Sequence, residues 1–223
     1  AWQKRVSSTN AEKTLIPYLK SRGVSRLDVL VLTHTDADHM GDMLEVAKHF
    51  SIKEIYVSKG SLTQSDFVEK LERMQTGVHA VEVGDSLPIF DGALQVLYPE
   101  ETGDGSNDDS VVLYGQFFGT SFLFTGDLEE NGEATLMRRF PQLKVDVLKA
   151  GHHGSKGSSS PEFLHQLQPK IALISAGKNN RYKHPHQETL DRFENIQTQI
   201  FRTDEQGAIR FSGWDSWEIE TVK

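Results

Sequence analysis

The sequence predicts an α/β (α+β) fold in which two packed sheets are covered by outer helices. Three observations carry that prediction. Strands alternate with helices in the first and last thirds of the chain. A run of strands separated by short turns lies between them. The 223 residues suffice to bury a sizeable core.

Thr9 or Asn10 can cap a helix from about 11 to 22, with Leu15, Ile16 and Leu19 on one face and Gly23 ending it. Leu27–Leu32 reads as a continuous apolar strand buried on both faces. Met43, Leu44, Ala47 and Phe50 mark a following helix, Glu54–Ser58 a strand, and 64–75 a helix with Phe67, Val68 and Leu71 inward. The meander comprises Val78–Val83, Ala93–Tyr98, Ser110–Phe118 and Ser121–Thr125, with a hairpin around Gly119. Then come a helix over 129–139, strand Val145–Lys149, a helix over 161–167 and strand Ile171–Ser175. A helix near 187–195 and strands around 199–203 and 208–211 close the chain, with Glu205-Gln206-Gly207 as a hairpin turn. Gly154–Ser160, GSKGSSS, reads as a mobile loop.

Composition narrows the class. An apolar fraction of 37% and a charged fraction of 25% are those of a folded, water-soluble domain. No apolar run approaches the roughly 20 residues of a bilayer-spanning helix. Residues 1–25 are polar and helix-like, not a signal peptide. Ala1 is not a natural start, so further sequence upstream of it is expected. Without cysteine there is no disulfide or thiolate metal site, and the compartment stays open. A net charge of −8 argues against a surface that wraps nucleic acid, although bound dications would return positive charge where a phosphate sits.

The chemistry concentrates where apolar strands end. His34-x-Asp36-x-Asp38-His39 follows Leu30-Val31-Leu32, and side chains two apart on extended backbone share a face. Carboxylates and imidazoles this close repel and dehydrate one another unless a cation neutralises them. The mixed N/O donors suit Zn²⁺, Mn²⁺ or Fe²⁺. Phe122-Leu123-Phe124-Thr125-Gly126-Asp127 repeats the pattern with a carboxylate able to bridge two ions, or to cap the helix after it. Val145–Lys149 repeats it again before Gly151-His152-His153-Gly154-Ser155. The glycines there would let a metal or anion approach the backbone. Lys183-His184-Pro185-His186 reads either as exposed loop histidines or as a phosphate contact and proton donor.

These motifs resemble the metallo-β-lactamase superfamily, whose order of elements is an αββα sandwich. Its usual His-x-His-x-Asp-His motif carries Asp36 here in place of the second histidine. That variant, with FTGD, LKxGHHGS, HPH and RTDxxG at Arg202–Gly207, resembles the C-terminal domain of ComEC-type competence proteins, from Trp2 to about Phe211. A cell-surface phosphorylcholine esterase shares the same variant.

The resemblance implies two divalent ions, Mn²⁺ or Zn²⁺. His34 and Asp36 would hold one, Asp38 and His39 the other, with Asp127 bridging. His152 or His153 would complete the second site, with His152, the first after the strand, favoured. Asp36 hardens the first site toward Mn²⁺. Asn107 stands where the superfamily often has a histidine, as a weak ligand or a substrate contact. The superfamily's opening strands have no counterpart in this chain.

The implied reaction is two-metal phosphodiester hydrolysis, with Asp38 and His186 in catalytic roles and His186 or the second paired histidine as proton donor. Ser155, His184 and His186 would contact substrate. DNA is the implied substrate, the implied act is degradation of the strand not taken up, and the implied partners are the channel domains of a larger membrane protein. Residues 1–223 would be one soluble domain on the outer face of the membrane. Two competing expectations remain. One is small-phosphodiester hydrolysis of the phosphorylcholine type, with Trp214 and Trp217 as an aromatic cage. The other is a non-catalytic domain that positions DNA.

Overall fold

A computed structural model of the chain describes residues 9–89, 92–213 and 217–222. Trp2 and Trp214 lie outside the described residues. Thr9 caps the first helix through a capping box with Glu12. The single helix expected over 11–22 is two, α1 (Asn10–Lys13) and α2 (Leu15–Ser21), parted at Thr14. Pro17 accounts for the break, because it has no N–H for the Lys13 carbonyl and its ring crowds that oxygen.

Next come β1 (Arg26–Leu32), the short helices α3 (Ala37–Met40) and α4 (Met43–His49), β2 (Ser51–Ser58), α5 (Ser65–Met74) and β3 (Gly77–Val81). The three strands form a parallel sheet in the order β1-β2-β3. Alternation along β1 divides its load. Leu30 and Leu32 pack outward with Met43, Val46, Phe67 and Leu71, while Val29 and Val31 face the second sheet.

The second sheet has seven strands in the order β10-β9-β8-β7-β6-β5-β4. Its antiparallel half is β4 (Ser86–Ile89), β5 (Gly92–Tyr98), β6 (Val112–Phe117) and β7 (Thr120–Phe124). Its parallel half adds β8 (Val147–Lys149), β9 (Ile171–Ile174) and β10 (Gln199–Arg202), joined through α6 (Glu130–Arg139), α7 (Pro161–Leu167) and α8 (Gln187–Asn195). Leu136, Phe163, Leu164 and Phe193 from these helices bury against Leu123, Leu148 and Ala172. Between the sheets lie Val81, Leu87, Val96, Val111 and Leu113. The layers are thus helices, sheet, sheet, helices, an αββα sandwich. Catalytic loops in such sheets gather at the carboxyl ends of parallel strands, and here those are the ends of β1, β7, β8 and β9.

Two further expectations are corrected, and β4 has no counterpart among the strands expected from the sequence. Glu205-Gln206-Gly207 is not a hairpin turn: α9 (Thr203–Gln206) follows β10, and β11 (Ala208–Ser212) pairs instead with β12 (Glu218–Val222) in a separate two-stranded sheet. The edge strand β4 escapes a propensity reading because it contains Pro88, which only an edge tolerates well. Gly154–Ser160 is not a loose loop. Ser155, Ser158, Ser159 and Ser160 are buried, and the Glu133 carboxylate accepts from the Ser159 and Ser160 N–H groups, the latter at 2.9 Å. Arg192 Nη1 donates to the Ser158 carbonyl at 3.1 Å, and Thr189 Oγ1 to that of Ser155 at 2.8 Å.

Candidate metal centre

Asp38, His39, Asp127 and His153 converge, each offering a ligand atom within 4.8 Å of the others. His39 Nε2 lies 3.1 Å from Asp127 Oδ2 and 3.2 Å from His153 Nε2. His153 Nε2 is 3.4 Å from Asp127 Oδ2 and 3.2 Å from Asp38 Oδ2. Backbone geometry produces this meeting. β1 ends at Leu32, and α3 turns Asp38 and His39 back over the sheet edge. β7 ends at Phe124, and Gly126 at φ +58° passes so close to Ser110 that a Cβ would sit 2.8 Å from its side chain. Asp127 N–H then donates to Ser110 Oγ at 3.0 Å, which fixes the carboxylate.

Electrostatics agree with a cation here. Burial pushes the Asp127 carboxyl up, but the His39 hydrogen bond and the Lys149 charge outweigh it and hold the group well below the usual carboxylate range. Lys149, beyond what the sequence assigned, sets Nζ 3.6 Å from Asp127 Oδ1 and donates to the Gly126 carbonyl at 2.7 Å. His153 Nδ1 donates to the Ser175 carbonyl at 2.7 Å, which leaves the Nε2 lone pair facing the group. Ser175 left no signal in the sequence, because only its backbone acts.

The paired histidines part company. Both take left-handed backbone, φ +42° at His152 and +55° at His153, so their side chains leave the turn differently. His153 joins the group of four, whereas His152, the expected choice, sets Nδ1 2.9 Å from Glu129 Oε1 and 3.3 Å from Asn107 Nδ2. His152 Nε2 stands 4.0 Å from Asp127 Oδ2. Gly154 follows at φ +81°, and a Cβ there would meet Pro185 at 2.6 Å.

His34, Asp36 and Asn107 are arranged otherwise. His34 is fully buried, its ring 4.1 Å from that of His39, and burial with the neighbouring His39 charge lowers its pKa to about 4. Asp36 is exposed at the N-cap of α3 and stands outside the group of four. Asn107 Nδ2 donates to Glu129 Oε1 at 3.3 Å. His34 Nε2, Asp127 Oδ1 and Asn107 Oδ1 are all buried without a hydrogen-bond partner. Buried polar atoms are rarely left so, and a cation satisfies lone pairs of this kind. The donor set therefore fits divalent ions: Asp38, His39, Asp127 and His153 for one, and His34 with Asp127 for another.

An open cleft of about 310 Å³ adjoins the group, lined by Asp38, His153, Asn180, Arg181, Tyr182 and His184. Burial and the surrounding His152, His186 and His153 lower the His184 pKa to about 4. His186 lies one ring beyond, 4.8 Å from His184 and outside the cleft lining, with Nδ1 accepting from Lys156 N–H at 3.2 Å. Ser155 is buried and also outside the lining, its Oγ accepting from Gly157 N–H at 3.2 Å. Arg181 and Tyr182 were missed, although they directly precede the KHPH motif.

Fold and site together define a metal-dependent hydrolase. The profile of the metallo-beta-lactamase superfamily matches residues 6–178, and the chain belongs to that superfamily. It is 44% identical over 204 residues to ComE operon protein 3 of Bacillus subtilis (strain 168), covering 90% of this chain and 26% of the relative. It is 34% identical over 204 residues to competence protein ComA of Neisseria gonorrhoeae, covering 90% and 27%. These relatives are ComEC-type competence proteins, and the chain spans about a quarter of their length. The metallo-beta-lactamase fold protein YhfI from Bacillus subtilis superposes with a TM-score of 0.57 at 11% identity, covering 87% of this chain and 81% of that one.

Proposed function

We propose that this domain hydrolyses phosphodiesters in DNA, cutting the strand that is not taken up during competence. The observation that carries the reading is the meeting of Asp38, His39, Asp127 and His153 beside an open cleft that Arg181 also lines. Divalent ions held there would lower the pKa of water and offset charge on phosphoryl oxygens. The chain's own groups prepare that chemistry. The Ser175 carbonyl aims His153, and Lys149 with His39 keeps Asp127 ionised. His184 lines the cleft and His186 does not, so His184 takes the contact with the leaving oxygen that the sequence assigns to His186 or to the second paired histidine.

Mn²⁺ was favoured over Zn²⁺ because of Asp36, an argument that concerns the first position alone. The gathered group of two imidazoles and two carboxylates suits either ion. The phosphorylcholine alternative gains no support: Trp217 packs edge-on against Phe118, Phe122 and Phe211 instead of facing the cleft. Among the described residues no helix is long and apolar enough to cross a membrane. The relatives' greater length supports a role as one module of a larger protein; its place beside channel domains on the outer face of a membrane is part of the proposal.

The deciding assay presents single- and double-stranded oligonucleotides to the protein with Mn²⁺ or Zn²⁺, beside Asp127→Ala. Metal-dependent cleavage that the variant loses is expected. Equal activity of the two proteins, or none with either metal, overturns the reading, the second result favouring a DNA-positioning domain.

A further inference from the structure

A column of flat side chains leads out of the metal centre. His184 stacks on His153 with ring centroids 6.3 Å apart at 24°. Tyr182 stacks on His184 at 5.7 Å and 23°. The Arg181 guanidinium lies 4.5 Å from the centroid of the Tyr182 ring, and Arg181 Nη2 donates to the Tyr182 hydroxyl. Arg181, Tyr182, His184 and His153 all line the same cleft as Asp38. Tyr182 is 56% exposed, among the most exposed large apolar side chains described. A single exposed ring is ordinary on a protein surface, but this one stands in series with Arg181 and His184 along the cleft.

The loop that carries Tyr182 is held in one shape. Asn180 Nδ2 donates to the Gly177 and His184 carbonyls at 2.9 and 2.6 Å, and Asn180 Oδ1 accepts from His184 N–H at 3.0 Å. Lys183 N–H donates to the Asn180 carbonyl at 3.1 Å. The ring is thus presented, not merely left over. Charge points the same way. In a chain of net charge −8, residues 175–187 contain no aspartate or glutamate and three lysines or arginines, Lys178, Arg181 and Lys183.

We infer that the Arg181–Tyr182 pair is a nucleobase subsite, on which an unpaired base of a single-stranded nucleic acid stacks while a neighbouring phosphodiester lies at the metal centre. Flat cationic and aromatic groups in series accept any base, because every base has a π face, and a duplex offers none except at its ends. The cationic loop attracts the backbone. The inference rests on the phosphodiesterase reading and names its substrate class as single-stranded.

The test uses fluorescent oligonucleotides that bear either normal bases or abasic residues, with wild-type protein, Tyr182→Ala, Tyr182→Trp and Asp127→Ala. Binding is followed by anisotropy and cleavage by gel. Wild type should bind the base-bearing strand about 5- to 150-fold more tightly than the abasic strand, the range for one stacked base. Tyr182→Ala should erase that preference and raise KM with little change in kcat, and Tyr182→Trp should keep it. Substitution at so exposed a ring should leave the thermal unfolding curve unchanged. An equal preference in wild type and Tyr182→Ala overturns the subsite even if DNA is cut. Base-dependent binding without any metal-dependent cleavage overturns the hydrolase reading and keeps the subsite.

Discussion

On one side of Asp127, Oδ2 meets His39 at 3.1 Å and His153 at 3.4 Å, with Asp38 completing a ready-made group. On the other side, Oδ1 has no hydrogen-bond partner, Lys149 stands 3.6 Å away, and the nearby candidates are scattered. His34 is buried with Nε2 unsatisfied, Asp36 is exposed, and an asparagine occupies position 107. The two half-sites draw on the same strand ends, so the difference lies in how many ligands are gathered, since His34, in the sparser half, is itself held at Nδ1 by Thr33 and Ser110. His39 and His153 are each held at Nδ1, by the Thr33 hydroxyl and the Ser175 carbonyl, and neither Asp36 nor Asn107 is aimed at a shared point. A preformed site binds its ion without first ordering its ligands. We therefore expect one tight and one weak ion.

The largest effect belongs to the residue the half-sites share. Asp127→Ala should lower metal-dependent kcat/KM by about a thousandfold, since transition-state charge stabilisation by a metal amounts to several kcal/mol. It should also abolish both binding events in a calorimetric titration. Retention of either event would show that the half-sites do not meet at this carboxylate. Next comes the proton balance of His34 in metal-free protein. Burial beside His39 holds its folded pKa at about 4 against an ordinary 6.5. The unfolded state therefore takes up the proton first, and stability is lost as the pH falls from about 6.5 to 4, by up to about 3 kcal/mol. Denaturant melts in chelator should show this slope, and His34→Gln should flatten it. A slope unchanged by the substitution would mean that the ring is not buried neutral.

Smaller still is the contrast between the paired histidines. His153→Ala should weaken the tight ion by more than about 100-fold, whereas His152→Ala, which removes only an outer contact to Glu129 and Asn107, should cost about tenfold. The reverse order would exchange their roles.

Most of the fold could be read from the residues, because apolar strands and amphipathic helices leave periodic traces. The ligand-bearing strand ends at Leu32, Phe124 and Lys149 were legible for the same reason. What escaped was set by long-range contact. GSKGSSS has a loop's composition, yet Glu133 and Arg192 anchor it into the core from α6 and α8. The choice between His152 and His153 depends on left-handed backbone that adjacent letters cannot reveal. Asp36 and Asp38 share a face only on extended backbone, and the intervening start of α3 separates them.

The finest test of the comparison is Thr33→Val. Thr33 Oγ1 lies 3.0 Å from His34 Nδ1 and 3.3 Å from His39 Nδ1. If both rings are to offer Nε2 to an ion, both Nδ1 atoms carry hydrogen, and one hydroxyl oxygen with two lone pairs can accept from each. Valine keeps the shape and removes the acceptor. His34 retains a second partner, Ser110 Oγ at 3.2 Å, whereas no other Nδ1 partner of His39 is found among the described residues. The substitution should therefore weaken the tight ion by about tenfold and leave the weak one nearly unchanged. Competition with a fluorescent chelator resolves the two affinities. An equal loss at both, or a loss only at the weak ion, would mean that hydroxyl support does not distinguish the half-sites.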